Sequence, residues 1–293
     1  MPTCLFLRSQ PRAIDGKLVL DLLPHSDEAP CFSLGSPTQP RTLSSSTFGM
    51  KPATPRGHWP GAFFLDAKCW EALARTPEHA LDNGGAWSKE FGHLGIDGSR
   101  QVLVYDDRRM TEAARVWFIL QLHGADAEVI DGGWKALLEN LPAQGQDAEP
   151  HVATEREFLS TGRQPVVTLV QRAELRDGLL GQVQVLDART AAEFSGADLR
   201  SNARGGHLPG AKSLPHAGLL NEDGTLQGRD ALQERLSSAG IDKDRPVVTH
   251  CDAGGRAALA ALAAVVAGQR DVWAYYLSYS DWAADGACPV NLA

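Results

Sequence analysis

One cysteine of this 293-residue chain stands where a nucleophile would be activated. Cys251 follows a β-branched run at residues 247–249, which predicts a buried strand. The Ala- and Leu-rich run at 257–267 predicts a helix, and Gly268 is suited to end it. Cys251 is therefore expected just before the first turn of a helix, where unpaired backbone N–H groups carry positive partial charge.

The loop that follows the cysteine is suited to binding an anion. Its residues are Asp252, Ala253, Gly254, Gly255 and Arg256. Adjacent glycines let successive amides turn toward one anion, and the arginine adds a planar cation. These features favour the thiolate over the thiol, so we expect Cys251 to be a catalytic nucleophile and the loop to bind its substrate. The alternative is a small buried thiol without a chemical role.

Three landmarks recur along the chain at nearly constant separation. They are a Gly-His-x-Pro-Gly-Ala motif at Gly57 and Gly206, a polar residue after a strand at Asp106 and Cys251, and an aromatic residue at Trp134 and Tyr279. Such constancy indicates a duplicated domain. An aspartate cannot act as a thiol nucleophile, and bulky Arg109 and Met110 stand where the second half has its two glycines. We therefore expect the first half to be catalytically silent.

Predicted strands alternate with predicted helices in both halves. The strands include residues 17–21, 102–105, 183–186 and 247–249, and the helices include 110–122 and 229–239. This order is typical of the α/β class, with mostly parallel sheets flanked by helices and ligands at the carboxyl ends of strands. We predict two tandem domains, a silent one at 1–140 and a catalytic one at 166–293. The polar, Pro- and Gly-containing segment 141–165 is predicted to link them.

The composition narrows the class of protein. The formal net charge of −8 argues against nucleic acid or an anionic membrane as a partner. No apolar run reaches the length of a membrane span, and residues 1–15 do not resemble a signal peptide. The five cysteines include no Cys-x-x-Cys pair. We therefore expect no metal site, no cofactor, no disulfide framework and a cytoplasmic location.

Several segments of the chain resemble one known family. In the second half they are VLDARTAAEFSG, GHLPGAKSLP, EDGTL, PVVTHCDAGGRA and SDWA, and in the first half VYDD, ARVWFILQLHG and VIDGGWKAL. Together they are similar to the rhodanese family of sulfurtransferases in its two-domain form, which includes thiosulfate and 3-mercaptopyruvate sulfurtransferases. The resemblance covers nearly the whole chain.

The resemblance implies a two-step sulfur transfer. Cys251 would attack the outer sulfur of a small anionic donor, thiosulfate or 3-mercaptopyruvate, and become a persulfide. A thiol, cyanide or a thioredoxin-like protein would then accept that sulfur. The family's second domain holds the active cysteine, which agrees with Asp106 in the first half of this chain.

Two departures from the family pattern leave the donor open. The two-domain enzymes usually have an arginine before the Phe of the DARxxxxF segment, whereas this chain has Glu193. Its cysteine loop also resembles that of single-domain rhodaneses. Arg200 or Arg204, in the loop before GHLPGA, could supply the missing substrate-binding cation, and a solvated surface position is the alternative for either.

Other polar residues near the predicted site are expected to be structural. His250 could be a base, but a packed or hydrogen-bonded histidine is the preferred interpretation. His58 and His207 occupy the same motif in both halves, which favours a structural role. Asp187 and Arg189 are expected to pair near the end of their strand.

Two other functions remain open. The segment from His250 to Arg256 resembles the HC-x5-R loop of cysteine phosphatases and arsenate reductases, but it is one residue shorter and should fit sulfur better than a tetrahedral phosphate. The second alternative is a binding module that uses the rhodanese fold for protein contact. The intact cysteine and its glycine loop argue against that alternative.

Overall fold

The computed structural model describes residues 6–7, 18–21, 59, 62–107, 109–138 and 153–292. These residues form two five-stranded sheets, one in each half of the chain. The first half contains β1 (Phe6–Leu7), β2 (Leu18–Asp21), β3 (Phe63–Phe64), β4 (Val102–Tyr105) and β5 (Ala127–Ile130). The second contains β6 (Thr168–Leu169), β7 (Gln184–Asp187), β8 (Lys212–Ser213), β9 (Val247–His250) and β10 (Val272–Ala274).

The two sheets have the same strand order. It is β1-β5-β4-β2-β3 in the first half and β6-β10-β9-β7-β8 in the second, and neighbouring strands in both sheets run parallel. The central strands β4 and β9 are buried at every residue, as expected for strands covered on both faces. The predicted α/β class with parallel sheets flanked by helices is confirmed.

Helices connect the strands and cover the sheets. The first half has α1 (Ala67–Leu73), α2 (Gly84–His93), α3 (Thr111–Leu122) and α4 (Gly133–Leu138). The second half has α5 (Arg172–Glu174), α6 (Ala191–Ser195), α7 (Arg229–Ser238), α8 (Gly255–Ala267) and α9 (Ser278–Ala284). In the described parts of the chain, no helix is both long enough and apolar enough to cross a membrane.

Helices α3 and α8 join the two halves. Helix α3 packs on β4 and β5, α8 packs on β9 and β10, and the two helices pack against each other. Trp117 and Phe118 of α3 therefore lie in the same continuous apolar core as Leu259 and Leu262 of α8. This packing brings the N-terminus of α3 next to the loop that holds Cys251.

The segment predicted as a linker is only partly within the described residues. Residues 139–152 lie outside them, and 153–165 form neither helix nor strand. The described part pairs by main-chain hydrogen bonds with the first half: Arg156 N donates to Gly92 O at 3.0 Å, and Leu159 N donates to Asp97 O at 3.2 Å. These contacts attach the segment to the first half.

The cysteines of the described residues differ in state. Cys251 and Cys288 are free and buried. Cys69 is disulfide-bonded. The expectation that the chain has no disulfide is therefore wrong for Cys69.

Candidate active site

Cys251 lies at the carboxyl end of the central strand β9, where ligands bind in parallel α/β sheets. Its side chain reaches a pocket of about 350 Å³ between the two halves. The second half lines it with Arg200, Cys251, Asp252, Ala253, Gly255 and Arg256, and the first half with Glu71, Thr111, Glu112 and Arg115. The structure therefore brings most of the predicted loop together around the cysteine, although Cys251 itself is only 1% exposed.

The sulfur of Cys251 has two polar neighbours. Gly254 N–H donates to Sγ at 3.1 Å, and Ser278 Oγ lies 3.7 Å from Sγ. Ser278 Oγ also accepts from Cys251 N–H at 3.1 Å and donates to Tyr275 O at 2.9 Å. Donors aimed at the sulfur stabilise negative charge on it. Of the loop amides predicted to turn toward an anion, that of Gly254 contacts the sulfur. Ser278 is a polar neighbour that the sequence analysis did not identify.

The two loop glycines are needed for different reasons. Gly254 has φ +98°, and a Cβ there would lie 2.9 Å from Tyr276 O. Gly255 has ordinary backbone geometry, but its Cβ would lie 3.0 Å from Thr111 O and 3.1 Å from Arg115 Nη2. Gly254 thus permits the turn that places its amide on the sulfur, whereas Gly255 permits close packing of the first half.

Arg256 is not the free cation that the sequence suggested. Its guanidinium makes a two-point ion pair with Glu193, with Nη1 to Oε2 at 2.7 Å and Nη2 to Oε1 at 2.8 Å. Burial disfavours ionisation of Glu193, but hydrogen bonds from Arg256 and from the N-cap Thr190 outweigh it and hold the pKa of Glu193 at about 2. Glu193 is therefore the partner of Arg256, which explains an acidic residue at this position.

Arg115 is the residue through which the first half reaches the loop. Its Nη1 donates to Ala253 O at 2.7 Å and to Tyr276 Oη at 3.1 Å. Glu112 and Glu71 pair with the same guanidinium at 2.9 and 3.0 Å. The sequence analysis did not select Arg115, although one cation within the apolar run ARVWFIL was a signal that a buried partner exists.

The two arginines proposed as substrate-binding cations lie in different places. Arg200 lines the pocket. Arg204 donates instead to main-chain carbonyl oxygens at the end of α9 and beyond, those of Trp282, Ala283, Asp285 and Cys288. Because these carbonyls engage its guanidinium, Arg204 stabilises the C-terminal segment. Arg200 therefore lies at the pocket, whereas Arg204, expected to bind substrate, is not among the residues that line it.

Asp252 of the cysteine loop is bound by a side chain of a neighbouring loop. Its Oδ1 accepts from Asn202 Nδ2 at 2.7 Å, in the loop that also carries Arg200. The hydrogen bond thus connects the cysteine loop to the pocket wall.

The residues expected to be structural pack beneath the site. His250 is fully buried, and its ring nitrogens lie 3.3 Å from Cys251 O and 3.4 Å from Asp187 Oδ2. Burial lowers the pKa of His250, so the ring is neutral. Asp187 pairs with Arg189 at 2.6 Å, as predicted. His207 stacks on Phe194, whereas His58 lies outside the described residues.

The corresponding position of the first half holds a carboxylate. Asp106 follows β4, and its two oxygens accept from the amides of Met110, Glu112 and Ala113 at 2.8–2.9 Å. The bulky residues at 109 and 110 do not prevent these amides from converging. Arg109 and Met110 adopt positive φ angles of 57° and 62°, and the amides converge on the Asp106 side chain instead of on an external anion.

No group of three or more His, Cys, Asp or Glu residues in the described ranges could hold a metal ion. The chemistry available at the pocket is that of a thiol with hydrogen-bond donors and paired arginines around it. A thiol in such surroundings can attack an electrophilic sulfur and carry it as a persulfide.

Comparison with known proteins gives matches over most of the chain. The model of the rhodanese-like domain matches residues 171–285. A putative thiosulfate sulfurtransferase, SseB, of Mycobacterium tuberculosis is 32% identical over 244 residues, which cover 80% of this chain and 84% of that protein. The 3-mercaptopyruvate sulfurtransferase of Escherichia coli is 28% identical over 248 residues, 80% of this chain and 83% of that protein.

Solved structures share the fold at lower identity. The crystal structure of YnjE has a TM-score of 0.73 and 20% identity, over 97% of this chain and 65% of that one. The anaerobic ergothioneine biosynthesis enzyme from Chlorobium limicola has a TM-score of 0.68 and 20% identity, over 82% of this chain and 61% of that one. The chain thus spans about two thirds of these structures, which show the fold alone.

Proposed function

Because the chain belongs to the rhodanese family of sulfurtransferases, we propose that it moves a sulfane sulfur from a small anionic donor to a thiophilic acceptor through a persulfide on Cys251. The observation that supports this most directly is the 3.1 Å hydrogen bond from Gly254 N–H to the Cys251 sulfur at the wall of the pocket. A donor in that position favours the thiolate before attack and the persulfide after it.

The proposed reaction has two displacement steps. The Cys251 thiolate attacks the outer sulfur of the donor, a new S–S bond forms, and the leaving group departs with the bonding electron pair. With thiosulfate the leaving group is sulfite, and with 3-mercaptopyruvate it is the enolate of pyruvate, which then takes a proton from water. An acceptor thiolate or cyanide attacks the outer persulfide sulfur, and the Cys251 thiolate is released.

The charges around the pocket bear on the choice of donor. Three arginines and three carboxylates line it, so the net attraction for a dianion is small. Arg115 and Arg256 are both engaged in ion pairs. Arg200 is the cation that we propose for binding the donor, and a single cation suits a single carboxylate. We therefore expect 3-mercaptopyruvate to be the better donor and thiosulfate the poorer one.

The burial of Cys251 limits which acceptors can reach it. A sulfur that is 1% exposed is accessible to cyanide or a small thiol, or to a protein such as thioredoxin whose cysteine protrudes. We propose acceptors of these kinds.

We also propose that the two halves are tandem rhodanese-like domains, the catalytic one at 166–293 and the silent one at 1–140, linked by 141–165. The identical strand order of the two sheets supports this duplication.

The alternative of a cysteine phosphatase has less support. In such a site the loop arginine would have to bind a phosphate, whereas Arg256 is bound by Glu193 through both of its terminal nitrogens. The remaining alternative, a binding module, does not account for a hydrogen-bonded thiol at a pocket.

A side-by-side assay tests the proposal. The protein is given thiosulfate or 3-mercaptopyruvate with cyanide or dithiothreitol, and thiocyanate or sulfide is measured. We expect turnover that Cys251→Ser abolishes and that Cys288→Ser, a second buried free thiol, retains. Turnover of a phosphotyrosine mimic that Cys251→Ser abolishes would instead support the phosphatase. No turnover with either class of substrate would support the binding module.

A further inference from the structure

In one peptide group of the cysteine loop, both the C=O and the N–H form hydrogen bonds. Its carbonyl, Ala253 O, accepts from Arg115 Nη1 at 2.7 Å, and its amide, Gly254 N–H, donates to Cys251 Sγ at 3.1 Å. In a planar trans peptide the C=O and N–H point in opposite directions, so fixing one direction fixes the other. We infer that Arg115, which belongs to the silent half, is a positioning residue that aims and polarises the amide on the Cys251 sulfur.

Arg115 is itself held rigidly enough for this role. Its side chain is 5% exposed and projects from α3 where that helix meets the start of α8. Glu112, Glu71 and Tyr276 each bind its guanidinium within 3.1 Å. Burial opposes its charge, but these partners outweigh burial and raise the pKa of Arg115 above its usual range, so it is a fixed cation.

A cation on the carbonyl should strengthen the hydrogen bond at the other end of the peptide. The positive charge draws electron density toward Ala253 O and leaves the Gly254 N–H more positive, since linked hydrogen bonds polarise one another. Bonds between ionised partners are also stronger than neutral ones. Loss of Arg115 would therefore weaken the Gly254 contact with the thiolate without removing any group that touches the sulfur.

The inference gives the first half a part in the chemistry of the second. It rests on the proposed function, because it assigns Arg115 to the same sulfur, but it concerns the ionisation of the thiol and not the donor. It can therefore be tested without sulfur transfer.

The experiment measures alkylation of Cys251 by iodoacetamide against pH, read by peptide mass spectrometry so that other cysteines do not contribute. For Arg115→Met, which keeps an unbranched side chain without the charge, we expect the profile to move up by about one pH unit. That shift corresponds to roughly tenfold less thiolate at neutral pH. Arg115→Lys should restore part of the shift.

The matched control is Tyr276→Phe, which removes the other hydrogen bond of Arg115 to the second half and leaves its bond to Ala253 O. It should shift the profile by less than half as much. Equal shifts in both variants would show that Arg115 acts through general packing, and an unchanged profile in folded Arg115→Met would overturn the inference.

If Arg115→Met does not fold, Arg115→Gln, which also lacks the charge, takes its place, and a profile identical to that of the unsubstituted protein would overturn the inference. If the unsubstituted protein transfers no sulfur but the shift is seen, the proposed function fails and the positioning role stands.

Discussion

Ser278 is the residue whose backbone is most constrained by the site. It is fully buried with φ +61°, a conformation that costs about 1 kcal/mol or more for a residue with a Cβ. Its hydroxyl accepts from Cys251 N–H and lies 3.7 Å from the sulfur. The fold therefore places this side chain where it contacts both the amide and the sulfur of Cys251 at the end of β9.

Two substitutions separate the hydroxyl of Ser278 from its backbone. Ser278→Ala and Ser278→Gly both lose the hydrogen bonds, and we expect both to slow sulfur transfer about tenfold, since one such bond contributes about 1.4 kcal/mol. Ser278→Gly should be more stable than Ser278→Ala by about 1 kcal/mol because glycine tolerates positive φ. Transfer rates and urea unfolding measure the two effects. Unchanged transfer rates in both variants would show that the Ser278 hydroxyl does not contribute to sulfur transfer.

The first turn of α8 determines where the cysteine loop lies relative to the first half. The helix begins at Gly255, directly after the peptide bond that Arg115 and Cys251 share, and it packs on α3 of the other half. A side chain at Gly255 would push against Thr111 O at 3.0 Å, which is backbone and cannot rotate away. The close contact of the two helices therefore depends on the absence of a Cβ.

Gly255→Ala tests this contact. Alanine in a helix normally stabilises it by up to about 1 kcal/mol relative to glycine. We expect the opposite sign here, a loss of roughly 1–3 kcal/mol in the free energy of unfolding, because of overpacking. Gly286→Ala, at an exposed glycine with nothing within 4 Å of its Cβ, is the control and should stay within about 0.5 kcal/mol. A Gly255→Ala protein as stable as the parent would show that α3 can yield.

The elements were largely predictable from the sequence, whereas the partners of the charged side chains were not. Apolar periodicity placed the strand before Cys251 and the helix after it, because local burial determines both. The pairing of Arg256 with Glu193 joins residues 63 positions apart, and that of Arg115 with Ala253 joins residues 138 apart. Such pairs follow from how β7 lies beside β9 and how α3 lies against α8, which no local pattern encodes.

Helix α3 of the first half has different surroundings at its two ends. Its N-terminus faces the cysteine loop, with Asp106 occupying the amides that would otherwise bind an anion. At the other end of α3, His123 follows the helix and packs against Trp87 and Phe91. Phe158 of the connecting segment contacts Phe91 in the same cluster. This cluster therefore attaches the connecting segment to the first half.

His123 should make that stability depend on pH. Burial lowers its pKa to about 4, against the opposing effects of Asp82 and the Leu81 carbonyl. Because this pKa is depressed in the folded state, the unfolded state binds the proton first as the pH falls. The contribution of neutral His123 to the free energy of unfolding is therefore complete above pH 6.5 and is lost as the pH falls toward 4. The loss amounts to roughly 3 kcal/mol at pH 4.

Urea unfolding at pH 7 and pH 4.5 measures this dependence. His123→Phe, which keeps an aromatic ring in the cluster, should lose less stability on acidification than the parent. If the variant loses as much stability on acidification as the parent, the pH dependence arises from other buried groups. Candidates are His250 and His216, whose pKa values burial also lowers.

If Cys251 carries the transferred sulfur, exposure to a donor must change the mass of the protein. We expect Cys251 to gain about 32 Da, the mass of one sulfur atom, on treatment with 3-mercaptopyruvate or thiosulfate. Cyanide should remove the added mass, and Cys251→Ser should not acquire it. Turnover without any adduct on Cys251, or with the adduct on Cys288 instead, would contradict the account.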